Sequence, residues 1–172
     1  KRNKIENIMI EASSHGLEQK RLSHINLKGG IFTNFSQDHL DYHKTMVTYL
    51  NAKLILFKNI LKSKSTIISD KEIKPYSSLK IIAKQKKIKL LDIDKECKKI
   101  KNNFFDLYSE YQIKNCAMAI LAAKLCGLKE KKIYTALKNI KDVNGRLELV
   151  KKYSNNIKVF VDFAHTPDAL MK

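Results

Sequence analysis

Between Ile31 and His43 the chain reads I-F-T-N-F-S-Q-D-H-L-D-Y-H, and its last six residues hold two carboxylates, Asp38 and Asp41, and two imidazoles, His39 and His43. Acids and histidines this close together are donors that hold a divalent cation. The apolar pair Ile31 and Phe32 gives way abruptly to Thr33, Asn34 and Ser36. That is the pattern of a buried strand emptying polar groups into a site at its carboxyl end. A plainer reading is helix capping by Ser36 or Asp38, with the histidines merely exposed. A second burst favours a site. In N-I-M-I-E-A-S-S-H-G, Asn7 to Gly16, the apolar residues Ile8 to Ile10 run straight into Glu11, Ser13, Ser14 and His15. For Glu11 alone, an acid beside a helix N-terminus is the simpler account.

Such residues need strands and helices to position them, and the chain alternates as an α/β protein does. Strands are expected at Ile8–Ile10, Ile31–Phe35, Thr66–Ser69 and Ile88–Leu91. If the first two are neighbours in a parallel sheet, Glu11 and His39 open into one crevice at the carboxyl ends of the strands. Met46, Tyr49, Leu50, Lys53, Leu54 and Phe57 recur at spacings of three and four and predict a helix over Thr45–Leu61. Another helix should pass through Leu79 and Ile82 after the break at Pro75. Asp70 closes the third strand as another polar group at a carboxyl end. Asp92 to Ser109 reads as lysine-rich and irregular. Helices over Asn115–Cys126, stopped by Gly127, and over Lys129–Ile140 follow. Gly145 then breaks the chain before strands at Arg146–Val150 and Ile157–Phe163, joined by a turn at Ser154–Asn156. The expected fold is therefore α/β, a mostly parallel sheet flanked by helices. One domain over residues 1–150 is expected, with 151–172 as its last strand and a short hinge.

The 172 residues are enough for one domain with a real core. Residue 1 is Lys, and the last apolar strand is followed by a new element that stops short, so the expectation is a piece of a longer protein. No signal peptide or membrane-length apolar run is present, which predicts a cytoplasmic protein with no membrane partner. Cys97, Cys116 and Cys126 are odd in number and lack metal-ligand spacing, as expected of reduced thiols. The net charge of +17 invites a nucleic-acid reading, but only Arg2, Arg21 and Arg146 among the 34 basic residues are arginine. Nucleic-acid recognition favours arginine forks with interleaved aromatics, so a solvated lysine surface is the better account.

E-A-S-S-H-G-L-E-Q-K-R (Glu11–Arg21), F-T-N-F-S-Q-D-H-L-D-Y-H (Phe32–His43), Y-L-N-A-K (Tyr49–Lys53), N-G-R-L-E (Asn144–Glu148) and V-D-F-A-H-T-P-D-A-L (Val161–Leu170) together resemble the Mur ligase family. These are ATP-dependent amide ligases of peptidoglycan precursor synthesis, and the order and spacing are most similar to the diamino-acid-adding, MurE-type branch. Two of the three arginines and four of the five histidines fall inside these strings. The resemblance implies a P-loop-like central ATPase domain, incomplete here. A G-T-x-G-K-T loop would precede it and an amino-acid-binding domain would follow. The chain departs from the family in having only Asp92 to Ser109 where a longer strand-rich insertion is usual. It also reads S-E-Y-Q-I-K-N, Ser109 to Asn115, where the family has G-x-F-N-x-x-N.

Several roles follow from the resemblance. Glu11, His39 and a carbamylated Lys53 are expected to be catalytic and to hold Mg2+. Ser13, His15, Gln19, Arg21, Thr33 and Asn34 are expected to bind the UDP-N-acetylmuramoyl dipeptide. Asn115, Arg146, Asp162 and His165 are expected around ATP. The expected reaction adds meso-diaminopimelate or L-lysine through an acyl phosphate in a monomer, with the fragment alone inactive. From its helical position alone, Lys53 would instead be a snorkelling lysine whose stem covers apolar surface. A non-catalytic split or decayed fragment and a folylpolyglutamate synthase-like ligase are the competing readings. S-S-H-G-L-E-Q-K-R and A-H-T-P-D-A-L favour the muramoyl ligase over the latter.

Overall fold

The computed structural model describes residues 5–103, 109–140 and 143–171. The chain divides into two compact units, residues 1–128 and 129–172. This division falls ahead of the boundary expected after residue 150, which lies within a strand, Glu148–Lys152.

The first unit is built on a parallel sheet of β1 (Gly29–Phe32), β2 (Thr66–Ser69) and β3 (Lys89–Asp92), in the order β1-β2-β3. Ile31 pairs with Ile68, and Ile68 with Leu91. All four residues of β2 are buried, as expected of a central strand covered on both faces. The first crossover carries α2 (Leu40–His43) and α3 (Met46–Ile55), which continues into a π-helical turn, Leu56–Ile60. A reciprocal capping box starts α3: Thr48 N–H donates to Thr45 Oγ1 at 3.2 Å, and Thr45 N–H donates to Thr48 Oγ1 at 3.3 Å. The second crossover is α4 (Tyr76–Lys86), and α5 (Asp94–Asn103) and α6 (Glu110–Leu125) complete the unit after β3. Phe32, Leu54, Phe57, Ile67, Leu79 and Ile82 form the centre of the core. Leu17 joins them from a short helix, α1 (Ser14–Glu18), and so ties the Ser13–His15 segment to the sheet.

Several expectations change. The helix expected at Asn115–Cys126 begins at Glu110, and the strands expected at Arg146–Val150 and Ile157–Phe163 are Glu148–Lys152 and Lys158–Val161. Three further changes concern the first unit. Ile8–Ile10 is not a strand: it pairs with no described strand, and Ile8 and Met9 are each 74 % exposed. Hydrophobicity alone does not make a strand, because its N–H and C=O groups need a ladder partner. The strand expected at Ile31–Phe35 is shifted to Gly29–Phe32, which leaves Thr33 and Asn34 in the loop at its carboxyl end. The stretch expected to be irregular contains α5, because Ile93, Cys97 and Ile100 recur at helical spacing and both isoleucines are fully buried. Residues 104–108 of that stretch lie outside the described residues.

The second unit holds α7 (Glu130–Leu137), an antiparallel hairpin of β4 (Glu148–Lys152) and β5 (Lys158–Val161), and α8 (Pro167–Leu170). The hairpin turns through Asn156, whose positive φ of 63° suits asparagine. Thr166 caps α8, accepting from Ala169 N–H at 3.3 Å, and Pro167 occupies its first turn.

Candidate functional site

Helices α1 and α2 meet through imidazole, phenol, hydroxyl and carboxylate groups. Ser13 caps α1, its Oγ accepting from Gly16 N–H at 3.1 Å. The next residue, Ser14, is buried, and its Oγ lies 2.8 Å from His43 Nε2. The other ring nitrogen, Nδ1, faces Glu18 Oε1 at 3.8 Å. His15 packs on Tyr42 at 4.0 Å between ring centroids, and on both His39 and His43 at 5.3 Å. Tyr49 extends the cluster, 5.8 Å from the His39 ring and 5.2 Å from the His43 ring.

Burial lowers the pKa of His43, helped by the charges of His15 and His39, while Glu18 and Asp41 pull it partly back. His39 is exposed by contrast. Its backbone is left-handed at φ 54°, its N–H donates to Asp38 Oδ1 at 2.8 Å, and its Nε2 stands 3.5 Å from Asp38 Oδ2. Asp38 thus orients the His39 turn but does not hold the N-cap position expected of it: that position is His39, and no side chain caps α2.

Lys53 lies at the far end of the cluster. Its Nζ sits 5.1 Å from the Tyr49 ring centroid and 5.9 Å from that of Phe32. Burial pushes its ammonium below the ordinary lysine range, and Asp38 and Glu11 pull it partly back. Lys53 therefore combines a stem on apolar surface with a head that carries its charge reluctantly beside two acids. Glu11 is exposed in the segment leading to α1. The structure brings His15, His39 and Tyr49 into ring contact, with Lys53 over the Tyr49 ring and Glu11 acting on Lys53 electrostatically.

The remaining expected residues are spread out. Gln19 is the C-cap of α1, and Arg21, which follows it, is exposed and bonds through its N–H to Gly16 O at 2.9 Å. Thr33 and Asn34 are exposed just beyond β1. Asn115 is exposed on α6 beside Lys114, whose Nζ reaches Asp70 Oδ2 and Glu72 Oε2 at 2.8 Å each. Burial opposes the Lys114 charge, but these two carboxylates outweigh it and raise its pKa. The polar end expected at Asp70 is therefore a buried carboxylate paired with a half-buried lysine.

Arg146, Asp162 and His165 belong to the second unit. The Arg146 guanidinium lies 5.3 Å from the Phe163 ring centroid. Asp162 accepts from Leu147 N–H and Ala164 N–H, each at 2.7 Å, and these amides hold its carboxyl below the usual range. His165 Nδ1 is 2.9 Å from Phe163 O. In this arrangement Asp162 tethers the hairpin to the segment that follows it.

Sequence reasoning gave Glu18 and Tyr42 no role, and placed Tyr49 only on a helix face and Ser14 only in a polar burst. It read His43 as a cation donor, whereas its ring is buried against Ser14. The signal was present, since all lie inside or beside the quoted strings, but only the fold shows which of them meet. Among the described residues, no three His, Cys, Asp or Glu side chains converge closely enough to hold a metal ion by themselves. The donor types still suit magnesium, which retains several waters and takes one or two carboxylates plus substrate phosphate oxygens. Glu11 and Asp38 act electrostatically on Lys53, and the exposed His39 imidazole stands 3.5 Å from Asp38.

This chain belongs to the Mur ligase middle-domain family, whose profile matches residues 1–127. It is 35 % identical to the UDP-N-acetylmuramoyl-L-alanyl-D-glutamate--2,6-diaminopimelate ligase of Rickettsia bellii (strain RML369-C), over 99 % of this chain and 40 % of that protein. It is 37 % identical to the Clostridium tetani (strain Massachusetts / E88) ligase of the same name, over 94 % of this chain and 37 % of that one. The chain thus spans about two fifths of the length of these relatives. Among solved structures, MurF from Acinetobacter baumannii superposes with a TM-score of 0.64 at 13 % identity, over 84 % of this chain and 35 % of that one, a likeness of fold. No described helix is long and apolar enough to cross a membrane.

Proposed function

We propose that this chain is the central part of a cytoplasmic, monomeric ATP-dependent ligase that adds 2,6-diaminopimelate to UDP-N-acetylmuramoyl-L-alanyl-D-glutamate. The observation that carries the reading is 35 % identity across 99 % of the chain to a ligase of that name. It is the names of these relatives that favour diaminopimelate over lysine as the added residue. In the proposed reaction the D-glutamyl carboxylate attacks the γ-phosphate of ATP, giving an acyl phosphate and ADP. The amine then attacks the acyl carbon, forming the amide and releasing phosphate. Both steps concentrate negative charge, and Mg2+ supplies neutralisation of the phosphate oxygens when bound.

The chain's own residues position these groups. Ser13, His15, Gln19, Arg21, Thr33 and Asn34 bind the UDP-sugar dipeptide, with the Arg21 fork suited to a carboxylate or phosphate. Asn115, Arg146, Asp162 and His165 serve the nucleotide. Glu11 and His39 hold the metal together with Lys53 as its carbamate. The lowered pKa of Lys53 supports that last role. Carbamate formation needs the neutral amine, whose lone pair attacks carbon dioxide and which then loses a proton. The product replaces an ammonium that is costly near a cation with an anion that coordinates one. The 172 residues contain no G-x-x-x-x-G-K-[ST] phosphate loop, so they should not turn over by themselves.

Lys53→Ala in the full-length protein tests the reading. Turnover should fall by about two orders of magnitude or more, with little loss of stability because alanine is the best helix former. A short carboxylic acid in the assay should restore part of the rate by filling the vacated anion site. Near-normal turnover, no response to the acid and a lower melting temperature would make Lys53 a snorkelling residue and remove the carbamate.

A further inference from the structure

We infer that His43 is a positioning residue: held between Ser14 and Glu18, its ring fastens the turn that carries His39 to helix α1, which carries His15 and is capped by Ser13. The inference rests on the ligase reading for its functional consequence. Its structural basis is independent of that reading.

Helix α2 is four residues long and has no side-chain cap. It is bracketed by two non-glycine residues in the left-handed region, His39 at φ 54° and Lys44 at φ 64°. A single turn cannot sustain itself, and such backbone conformations persist only where the surroundings over-determine them. The surroundings here are α3, whose Thr48 hydroxyl donates to His43 O and whose Tyr49 packs on both imidazoles, and α1, which holds the His43 ring. Ser14 Oγ meets His43 Nε2 at 2.8 Å, so the buried ring is hydrogen-bonded to α1 on one side, and its Nδ1 faces the Glu18 carboxylate at 3.8 Å on the other.

The charge nearest Nδ1 is a carboxylate, which favours the tautomer with its proton on Nδ1 and the Ser14 hydroxyl donating to Nε2. His43 N–H donates to His39 O at 2.9 Å, so the main chain that carries the buried ring is bonded to the main chain that carries the exposed one. Groups that orient a functional histidine in this way typically matter by about 10–100-fold in activity or metal affinity when removed.

The experiment uses Ser14→Ala, His43→Ala, His43→Gln and the Ser14→Ala/His43→Ala double variant in the full-length protein. The carboxamide of His43→Gln reaches the place of Nε2 and keeps a partner for Ser14. Each alanine variant should lower kcat about tenfold or more, and any rise in KM for the UDP-sugar dipeptide should be smaller than the fall in kcat. The double variant should be no worse than the weaker single one, because both remove one contact. Glutamine should recover most of the rate. Additive losses, a glutamine variant as slow as alanine, or a lowered melting temperature with unchanged kcat would each overturn the positioning role.

Histidine 15N spectra separate this outcome from failure of the ligase reading. They should show His43 protonated on Nδ1, and Ser14→Ala should shift the His39 ring resonances. If the wild-type protein lacks ligase turnover, the ligase reading falls. The spectra then decide the inference, and an unmoved His39 overturns it.

Discussion

Strands β2 and β5 are both four residues long and both carry adjacent large apolar residues, T-I-I-S and K-V-F-V. Every residue of the first is buried and every residue of the second is exposed. Composition therefore does not decide burial; layering does. β2 has a strand on each side and packs against α4 and α6, whereas β5 has one antiparallel partner. A lone two-stranded hairpin is marginal in water. The His39–Lys53 cluster thus stands on a buried sheet, while Arg146, Asp162 and His165 stand on or beside a thinly supported hairpin.

The largest expected effect sets these strands against each other. Ile67→Ala removes a fully buried side chain from β2 and should cost about 2–5 kcal/mol in urea unfolding. Val159→Ala, at a β5 residue 41 % exposed, should cost less than about 1 kcal/mol. Equal losses would erase the distinction between the units.

Two glycines sharpen it at an intermediate scale. Gly127, at φ +89°, has open space where a Cβ would stand, so Gly127→Ala should cost about 1 kcal/mol for conformation alone. Gly145, at φ +72°, would place a Cβ 2.3 Å from Phe163 Cε2. Gly145→Ala should therefore cost more, up to about 3 kcal/mol, and displace the ring beneath Arg146. A Gly145→Ala variant as stable as Gly127→Ala would mean that Phe163 moves aside freely.

How much of this was legible in the sequence depended on whether the signal was local. Helix α3 follows from the spacing of Met46, Tyr49, Leu50 and Phe57, and β2 has the bounds its apolar run predicts. Helix α5 was legible in principle from Ile93, Cys97 and Ile100 but was masked by lysines that face solvent. The exposed Ile8–Ile10 segment shows the reverse failure, an apolar run without a ladder partner. The quoted strings pointed to His15, His39 and Lys53. They could not pair Ser14 with His43, because that contact joins residues 29 positions apart. Nor could they show that both Asp162 oxygens serve backbone amides.

The smallest expected effects concern pH, and the two units should answer in a fixed order. Burial holds the folded-state pKa of His43 below 6.5, the ordinary value. Just below pH 6.5 the unfolded chain then binds more protons than the folded one, so stability is complete above that pH and is lost as pH falls through the window beneath it. The Leu147 and Ala164 amides hold Asp162 below 3.8. Its contribution is likewise present above 3.8 and is lost only as pH falls through its lower folded value. On acidification, Ser14–Glu18 amide signals should therefore change before those of Gly145–Ala164. His43→Gln should remove the upper step and leave the lower one, because its carboxamide does not titrate; Asp162→Asn should do the reverse. If the hairpin signals moved first, acid sensitivity would lie in the exposed unit, and burial of His43 would not be what limits the first.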